Sequence, residues 1–543
     1  MVKSGWVYSF GMGFWGPNGH DGVWHLALIN HLAKNSFQMP VFAGEVLKNY
    51  HIGFDLLLAL IYKLTRVPVN ILYFQLIPVF IAVSTGVLTY KFTYFWRKSN
   101  IQAFWATFFV YFGGSFGPFV TLARSGEIGG ESMFWAQQSI STLLNPSFAL
   151  SFILLLAGLF ILLKYESQRT SKLLFLAVVV FGILGQVKVY AGILSLGALF
   201  MAGVFQFLKD KRFEYLKVFV GSSVFFVLLF IPLNRSSSSL VVFQPFWFLE
   251  TMMAVSDRFS WPKFYEAMIN YRFGNIWYKA FPAYVIAFLI FWIGNMGTRL
   301  INVFAVLEWV KNPKKLLPIE IFVLTVIVAG VIFPMLFLQR GTPWNTIQFF
   351  YYSLMLSGIL AGIAFGNWVD KKSSSVRKAS IVLLLVLTLP TTYATLKHYL
   401  PSRPPAKLSQ GELEALNFLR KQKDGVVLTY PFDSHASSEA VSNPPRPLYL
   451  YESTAYVAAF SGKSVFLEDE VNLNITGYDW RSRREQTETF LESLDQGEVR
   501  KFLGENDIRY IYWIGKQRAR LGETQLGITQ IFENKEVKIY QVN

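Results

Sequence analysis

Residues 173–207 read LLFLAVVVFGILGQVKVYAGILSLGALFMAGVFQF, and the only charged side chain among them is Lys188. Two runs this apolar, parted by one cation, predict two helices in lipid joined by a tight turn, because a helix on a soluble domain keeps a polar face. Comparable runs lie at 69–90, 101–120, 148–163, 218–233, 281–296, 319–338, 348–366 and 379–397. With 173–186 and 189–207 they make about ten spans. A chain of 543 residues that is 53% hydrophobic and only 15% charged does not divide into soluble domains. The expected fold class is a polytopic α-helical membrane protein.

Charge orients the spans. Lys91/Arg97/Lys98, Lys164/Arg169/Lys172, Lys209/Lys211/Arg212/Lys217, Arg299/Lys311/Lys314/Lys315 and Lys371/Lys372/Arg377/Lys378 fall in every second connection. The positive-inside bias places those connections in the cytoplasm. The N-terminal stretch, 121–147, 186–188, 234–280, 339–347 and the tail then share the outer face. Residues 1–398 hold 32 of the 50 Lys and Arg but 14 of the 34 Asp and Glu. The net charge of +16 therefore belongs to the membrane part and is no nucleic-acid footprint. The segment 51–64 is apolar but too short to cross about 30 Å of hydrocarbon, and reads as an interfacial or re-entrant helix on the outer side.

Near residue 400 the composition changes. Pro401-Ser-Arg-Pro-Pro405 predicts a stiff linker. Ser409 with Glu412 three residues on predicts a capping box opening a helix through about Arg420. Strand-like runs follow at Val426–Tyr430, Ser464–Leu467, Ile508–Trp513 and Val537–Val542, with a helical pattern over about 482–503. The expected organisation is an outer N-terminal segment with juxtamembrane helices and a His/Asp motif over 1–68, a transmembrane domain over 69–398, and a soluble, non-cytoplasmic α/β domain over 399–543.

Chemistry gathers in 17–55, which holds four of the six histidines together with Asp21, Glu45 and Asp55. On a helix Asp21 and His25 stand i and i+4, as do His51 and Asp55, so each pair would project a carboxylate and an imidazole from one face. Asp21 between His20 and Gly22 reads either as a cap on an interfacial helix or as a catalytic carboxylate. Asp21, His25, His51 and Asp55 would also make a four-ligand set for a divalent metal if the two helices faced each other. Trp24 and Tyr50 border the motif. On the outer turns, Lys188 and Arg340 read either as headgroup anchors or as phosphate-holding groups, Arg340 in company with Trp344, Asn345 and Gln348. There is no cysteine, Walker A, GxSxG or HExxH sequence.

The motif His20-Asp21-Gly-Val-Trp24-His25 in an outer loop, Asn49-Tyr50-His51 opening a short apolar helix, about ten spans and an outer α/β tail resemble the membrane glycosyltransferases of the GT-C fold. Within that group the likeness is to the bacterial branch of protein O-mannosyltransferases and the lipid A aminoarabinose transferase. The resemblance implies an inverting transfer of a sugar from a polyprenyl-phosphate donor to a hydroxyl of a glycan, lipid or protein acceptor. It implies a multi-pass protein of the bacterial plasma membrane, in contact with membrane lipids, with its C-terminal domain outside. By this likeness Asp21 is the essential first-loop acid. His51 falls where relatives open the juxtamembrane helix with a His-Pro or Pro-Pro pair, and Arg340 where a late-loop cation meets the donor phosphate, with Lys188 beside it. His25 and His51 join Asp21 in the expected catalytic set; His20, Trp24, Tyr50, Asp55, Trp344, Asn345 and Gln348 are the expected substrate contacts. One departure stands out: family members have a transmembrane helix before the first outer loop, so the N-terminus is expected to be truncated or its start misassigned. The rival reading is a transporter or lipid flippase with a proton-relaying Asp/His cluster. A scaffold whose tail binds a partner is a third.

Overall fold

The computed structural model describes residues 1–234 and 241–543. Residues 235–240, which open the loop expected at 234–280, lie outside the described part. The chain forms two compact units: one joins Met1–Val79 to Tyr399–Asn543, and the other carries Phe80–Pro232 and the described residues from 241 to His398.

The helical unit and the helix Val69–Arg97 that leads into it make this an integral, multi-pass membrane protein. Among the described residues eight helices are long and apolar enough to span a bilayer. They include Pro146–Gln168, Val189–Asp210, Pro318–Leu336, Pro343–Asp370 and Ser374–Tyr399. The two remaining expected runs depart from a simple span. Ser171–Val187, at 17 residues, is a shorter apolar helix, and the run 101–120 is broken into Asn100–Phe112 and Gly117–Ser125, bent by 49°.

The break has a local cause. Arg299 is fully buried, and its Nη2 donates to the Gly113 carbonyl at 2.6 Å and to Ser139 Oγ at 3.0 Å. Its Nη1 donates to Gln138 Oε1 at 2.8 Å. Gln138 in turn donates its backbone N–H to Glu131 Oε1 at 2.6 Å, and the Ser141 hydroxyl donates to the same carboxylate. A Cβ at position 113 would stand 2.5 Å from Arg299 Nε, so the guanidinium reaches the freed carbonyl only past a glycine. Arg299 was expected in an exposed basic connection; it lies instead buried on the turn Gly297–Ile301 within the helical run Trp277–Lys311, with its guanidinium donating to carbonyl, amide and hydroxyl oxygens.

The other unit opens on the short strand Val7–Tyr8, which runs antiparallel to β1 (Gly11–Phe14), and continues with helices α1 (Asp21–Ala33) and α2 (Gly53–Thr65). After residue 399 come β2 (Ala406–Leu408), α3 (Gln410–Lys421), β3 (Val426–Thr429), α4 (Tyr456–Ser461), β4 (Ile508–Ile514), β5 (Ile528–Glu533) and β6 (Val537–Val542). The capping box forms as expected: Ser409 Oγ accepts from the Glu412 N–H, and Glu412 accepts from the Ser409 N–H, both at 3.1 Å. The main sheet has the order β3-β4-β6-β5, with β3 parallel to β4 and the rest antiparallel. The run Ser464–Leu467 adds only a single parallel bridge, Val465 to Val427, rather than a strand.

A second sheet joins the two ends of the chain. β1 runs antiparallel to β2 with Met12 opposite Leu408 and Phe14 opposite Ala406, and all four side chains are buried. At about 1.5–3 kcal/mol for each large apolar side chain withdrawn from water, the pairing is firmly held. Residues 40–43 run alongside 465–468, Val465 donating to the Pro40 carbonyl at 2.8 Å and Ala43 to the Val465 carbonyl at 3.0 Å. Helix α1 lies on α4, with Asn30 Nδ2 donating to the Ala459 carbonyl at 2.8 Å. Helix α2 buries Phe54, Asp55, Leu58 and Ala59 and leaves Leu56, Leu57, Leu60 and Leu64 exposed. Four exposed leucines on one short helix make a face suited to the lipid–water boundary.

Candidate active site

The turn Gly16–Gly19 delivers the chain into α1. Gly19 has no room for a side chain, since a Cβ there would lie 2.9 Å from Ala406 Cβ and 3.0 Å from the Tyr451 ring. His20 is the capping position and Asp21 the first residue of α1, so the carboxylate sits where the helix dipole favours negative charge.

His20 organises the site. Its Nδ1 lies 3.0 Å from Asp21 Oδ1 and 4.0 Å from Glu452 Oε2, and its Nε2 lies 3.3 Å from Asp469 Oδ1. Asp469 is fully buried, has a left-handed backbone (φ 52°), and also accepts from Asn472 N at 3.0 Å and Asn472 Nδ2 at 2.9 Å. Burial opposes a charge on His20, but the carboxylates of Asp469 and Asp21 outweigh it and hold the imidazole well above its ordinary value. The arrangement keeps a cation beside Asp21, whose side chain is 54% exposed. An anchored, solvent-facing carboxylate of this kind can accept a proton from a hydroxyl brought to it.

His25 points elsewhere. Its Nδ1 lies 2.6 Å from Asp55 Oδ1, and both side chains are buried. Its ring stacks on Tyr73 at 5.5 Å and meets Phe54 edge-on at 5.7 Å. Trp24 meets Tyr50 edge-on at 5.5 Å, and His51 stacks on Tyr50 at 4.7 Å. Asp21 and His25 stand i and i+4 on α1 as expected, but Asp21 meets His20, and His25 meets Asp55 across to α2. Where α2 begins decides the second expected pair: with the helix opening at Gly53, His51 lies outside it and the i, i+4 relation to Asp55 is lost. Asp21, His25, His51 and Asp55 do not form the expected metal set; among the described residues no three His, Asp or Glu side chains converge as metal ligands.

In the helical unit Lys188 is buried at the extended link between Ser171–Val187 and Val189–Asp210, its Nζ 5.7 Å from the Tyr190 ring. Tyr190 donates to Gln339 Oε1 at 3.0 Å, which ties this link to the turn carrying exposed Arg340. That turn follows a two-stranded ribbon in which Val241–Phe243 pairs with Phe337–Gln339. Past it, Asn345 Nδ2 donates to Thr342 Oγ1 at 3.1 Å, Trp344 is half exposed, and Gln348 opens the helix Gln348–Asp370. Asp469 and Glu452 were missed from the sequence. The acidic run Leu467-Glu-Asp-Glu470 between apolar segments was the available signal.

No family model and no characterised protein matches the chain by sequence. Solved structures do match. The Archaeoglobus fulgidus oligosaccharyltransferase tethered to an acceptor peptide aligns over 95% of this chain and 67% of its own, at 11% identity and a TM-score of 0.51. The same enzyme with Zn and sulfate aligns over 94% and 65%, at 12% identity and a TM-score of 0.50. The chain thus spans about two thirds of the archaeal protein's length. ArnT from Cupriavidus metallidurans with undecaprenyl phosphate covers 98% and 94% at 8% identity, but its TM-score of 0.39 adds nothing to the assignment. Spans, C-terminal sheet and the archaeal match converge on one architecture, and the chain shares the fold of the archaeal oligosaccharyltransferase.

Proposed function

We propose that this protein is an inverting glycosyltransferase that moves a sugar from a polyprenyl-phosphate donor to an acceptor hydroxyl on the non-cytoplasmic face of a bacterial plasma membrane. A fold hosts many activities, so the site must carry the reading. The observation that carries it is Asp21, exposed at the start of α1 and anchored through His20 to buried Asp469. The archaeal protein of like fold is an oligosaccharyltransferase, which accords with it.

Asp21 takes the proton of the acceptor hydroxyl as that oxygen attacks the anomeric carbon. The bond from that carbon to the phosphate oxygen breaks, and its electron pair leaves with the polyprenyl phosphate. Arg340, with Lys188 behind it, balances the charge growing on the departing phosphate, the electrostatic contribution that is usually largest. His25 with Asp55 keeps α1 and α2 in register, and His51, Tyr50 and Trp24 wall the approach. Trp344, Asn345 and Gln348 contact the donor beside Arg340.

The test is transfer from a labelled polyprenyl-phosphate sugar panel by membranes holding the parent or Asp21→Asn. Transfer by the parent and its loss in the variant is the expected result. Transfer undiminished in the variant overturns the base role.

A further inference from the structure

Three parallel segments of the soluble domain end at one rim. Beyond β3 the chain runs through Thr429–Asp433, beyond the Val465 bridge through Leu467–Glu470, and beyond β4 through Ile514–Gln517; all three stretches line one cleft of about 390 Å3. In open α/β sheets ligands bind outside the carboxyl ends of parallel strands. The volume is at the small end of ligand sites and holds one or two sugar rings.

Two buried hydroxyls at this cleft are unsatisfied. Tyr512, 1% exposed, and Thr454, 3% exposed, have no hydrogen-bond partner for their oxygens among the described residues. A buried hydroxyl left unpaired costs about 1–3 kcal/mol, so two in one cleft point to a ligand that pairs them. The ring of Tyr512 meets that of Tyr456 edge-on at 6.3 Å, and both stand in the lining.

Charge narrows the ligand. Glu452, Glu468, Glu470 and Asp433 line the cleft against a single basic residue, Lys516. Glu470 is matched by Arg484 at 2.7 Å, and Glu468 accepts the Val457 and Ala458 N–H groups at 2.8 and 3.0 Å. Burial pushes the Glu468 carboxyl up to about 8, so the charge left in the lining is that of Glu452 and Asp433 against Lys516; this mildly acidic, tyrosine-walled cleft suits hydroxyls, amines and sugar faces better than phosphate or carboxylate. Glu452 belongs both to this lining and to the surroundings of His20, 4.0 Å away. Glu452 thus stands between the cleft and the His20/Asp21 pair.

We infer that this cleft binds a saccharide, neutral or amine-bearing, whose hydroxyls pair with Tyr512 and Thr454 and whose chain leads past Glu452 toward Asp21. Binding stands by itself; its being the acceptor rests on the transferase reading.

The test uses the full-length protein in nanodiscs. Saturation-transfer NMR is run with disaccharides of N-acetylglucosamine, of glucosamine and of a uronic acid, and with inorganic phosphate as anion probe. The neutral and amino sugars are expected to bind and to weaken at least tenfold in Tyr512→Phe and Thr454→Val. The uronate and phosphate are not expected to bind. Melting without sugar is not expected to fall in Tyr512→Phe, because the lost hydroxyl had no partner. Absence of binding by every saccharide, tighter binding of phosphate, or unchanged affinity in both variants overturns the inference. Asp21→Asn separates the two readings: it should bind sugar like the parent and fail to transfer. Sugar binding with transfer intact in Asp21→Asn removes the base role and leaves the cleft; Asp21-dependent transfer without sugar binding does the reverse.

Discussion

His20 Nε2 stands 3.3 Å from Asp469 Oδ1, joining residues 449 positions apart. The exposed carboxylate proposed as base is thus steadied by a buried one that the C-terminal part supplies. Asp469→Ala leaves His20 and Asn472 without their shared acceptor and is expected to cost about 2–4 kcal/mol, read as a lower midpoint of unfolding for the soluble unit. Asp469→Asn should cost less and still lower the transfer rate more than the affinity for donor.

The same link makes stability depend on pH. The folded state holds the His20 proton above the ordinary value of 6.5. Its stabilisation is therefore whole below pH 6.5 and is lost as pH rises through the folded-state value. His20→Asn should remove that part of the decline in melting temperature measured from pH 6.5 upward.

Glu468 gives a second slope of the same sign. Burial pushes its carboxyl from 4.5 up to about 8, against the two N–H groups it accepts. The contribution is whole below pH 4.5 and falls by up to about 1.4 kcal/mol per pH unit toward pH 8. Glu468→Gln should remove the decline between pH 4.5 and 6.5 and leave from pH 6.5 upward only the His20 portion.

Asp21→Asn is expected to change unfolding by less than about 0.5 kcal/mol, since its side chain is 54% exposed. Transfer should fall by about 10²–10⁴-fold, the range a lost general base commonly covers. Equal losses of stability and transfer would assign Asp21 to capping α1.

Arg340→Ala should raise the KM for a polyprenyl-phosphate donor by roughly 10–100-fold, the worth of hydrogen bonds to a charged partner. Arg340→Lys should recover part of this, because a point charge replaces a two-pronged donor. A donor KM unchanged in both would confine Arg340 to anchoring among lipid headgroups.

Arg299→Leu should be the most damaging substitution in the helical unit, at about 3–5 kcal/mol, because Gln138, Ser139 and the Gly113 carbonyl all lose their donor. Limited proteolysis in detergent should show faster cutting near the bend at 113–116.

Hydropathy located the long apolar helices of the membrane part, since a bilayer leaves few alternatives to them, but not the shorter helices Trp247–Ala254 and Pro262–Phe273, which it left inside an expected loop. The Ser409/Glu412 box and three of the four strand runs were equally local and equally legible. What escaped the sequence was long-range. Nothing at Gly11–Phe14 announces Ala406–Leu408 as its partner, and nothing at His20 announces Asp469. The expected His51/Asp55 pair turned on whether α2 begins at His51 or Gly53, a boundary of two residues that pattern does not resolve. Arg299 was misplaced because counting cations treats each as solvated, whereas this one is held by carbonyls and an amide.

The strand Gly11–Phe14 finds its second neighbour only at residues 406–408, and the imidazole beside Asp21 finds its buried partner at 469. During synthesis, then, the helices of residues 69–399 are made before either of these partners arrives. A chain cut short between residues 399 and 469 carries its membrane helices but leaves His20 without the buried carboxylate that steadies it.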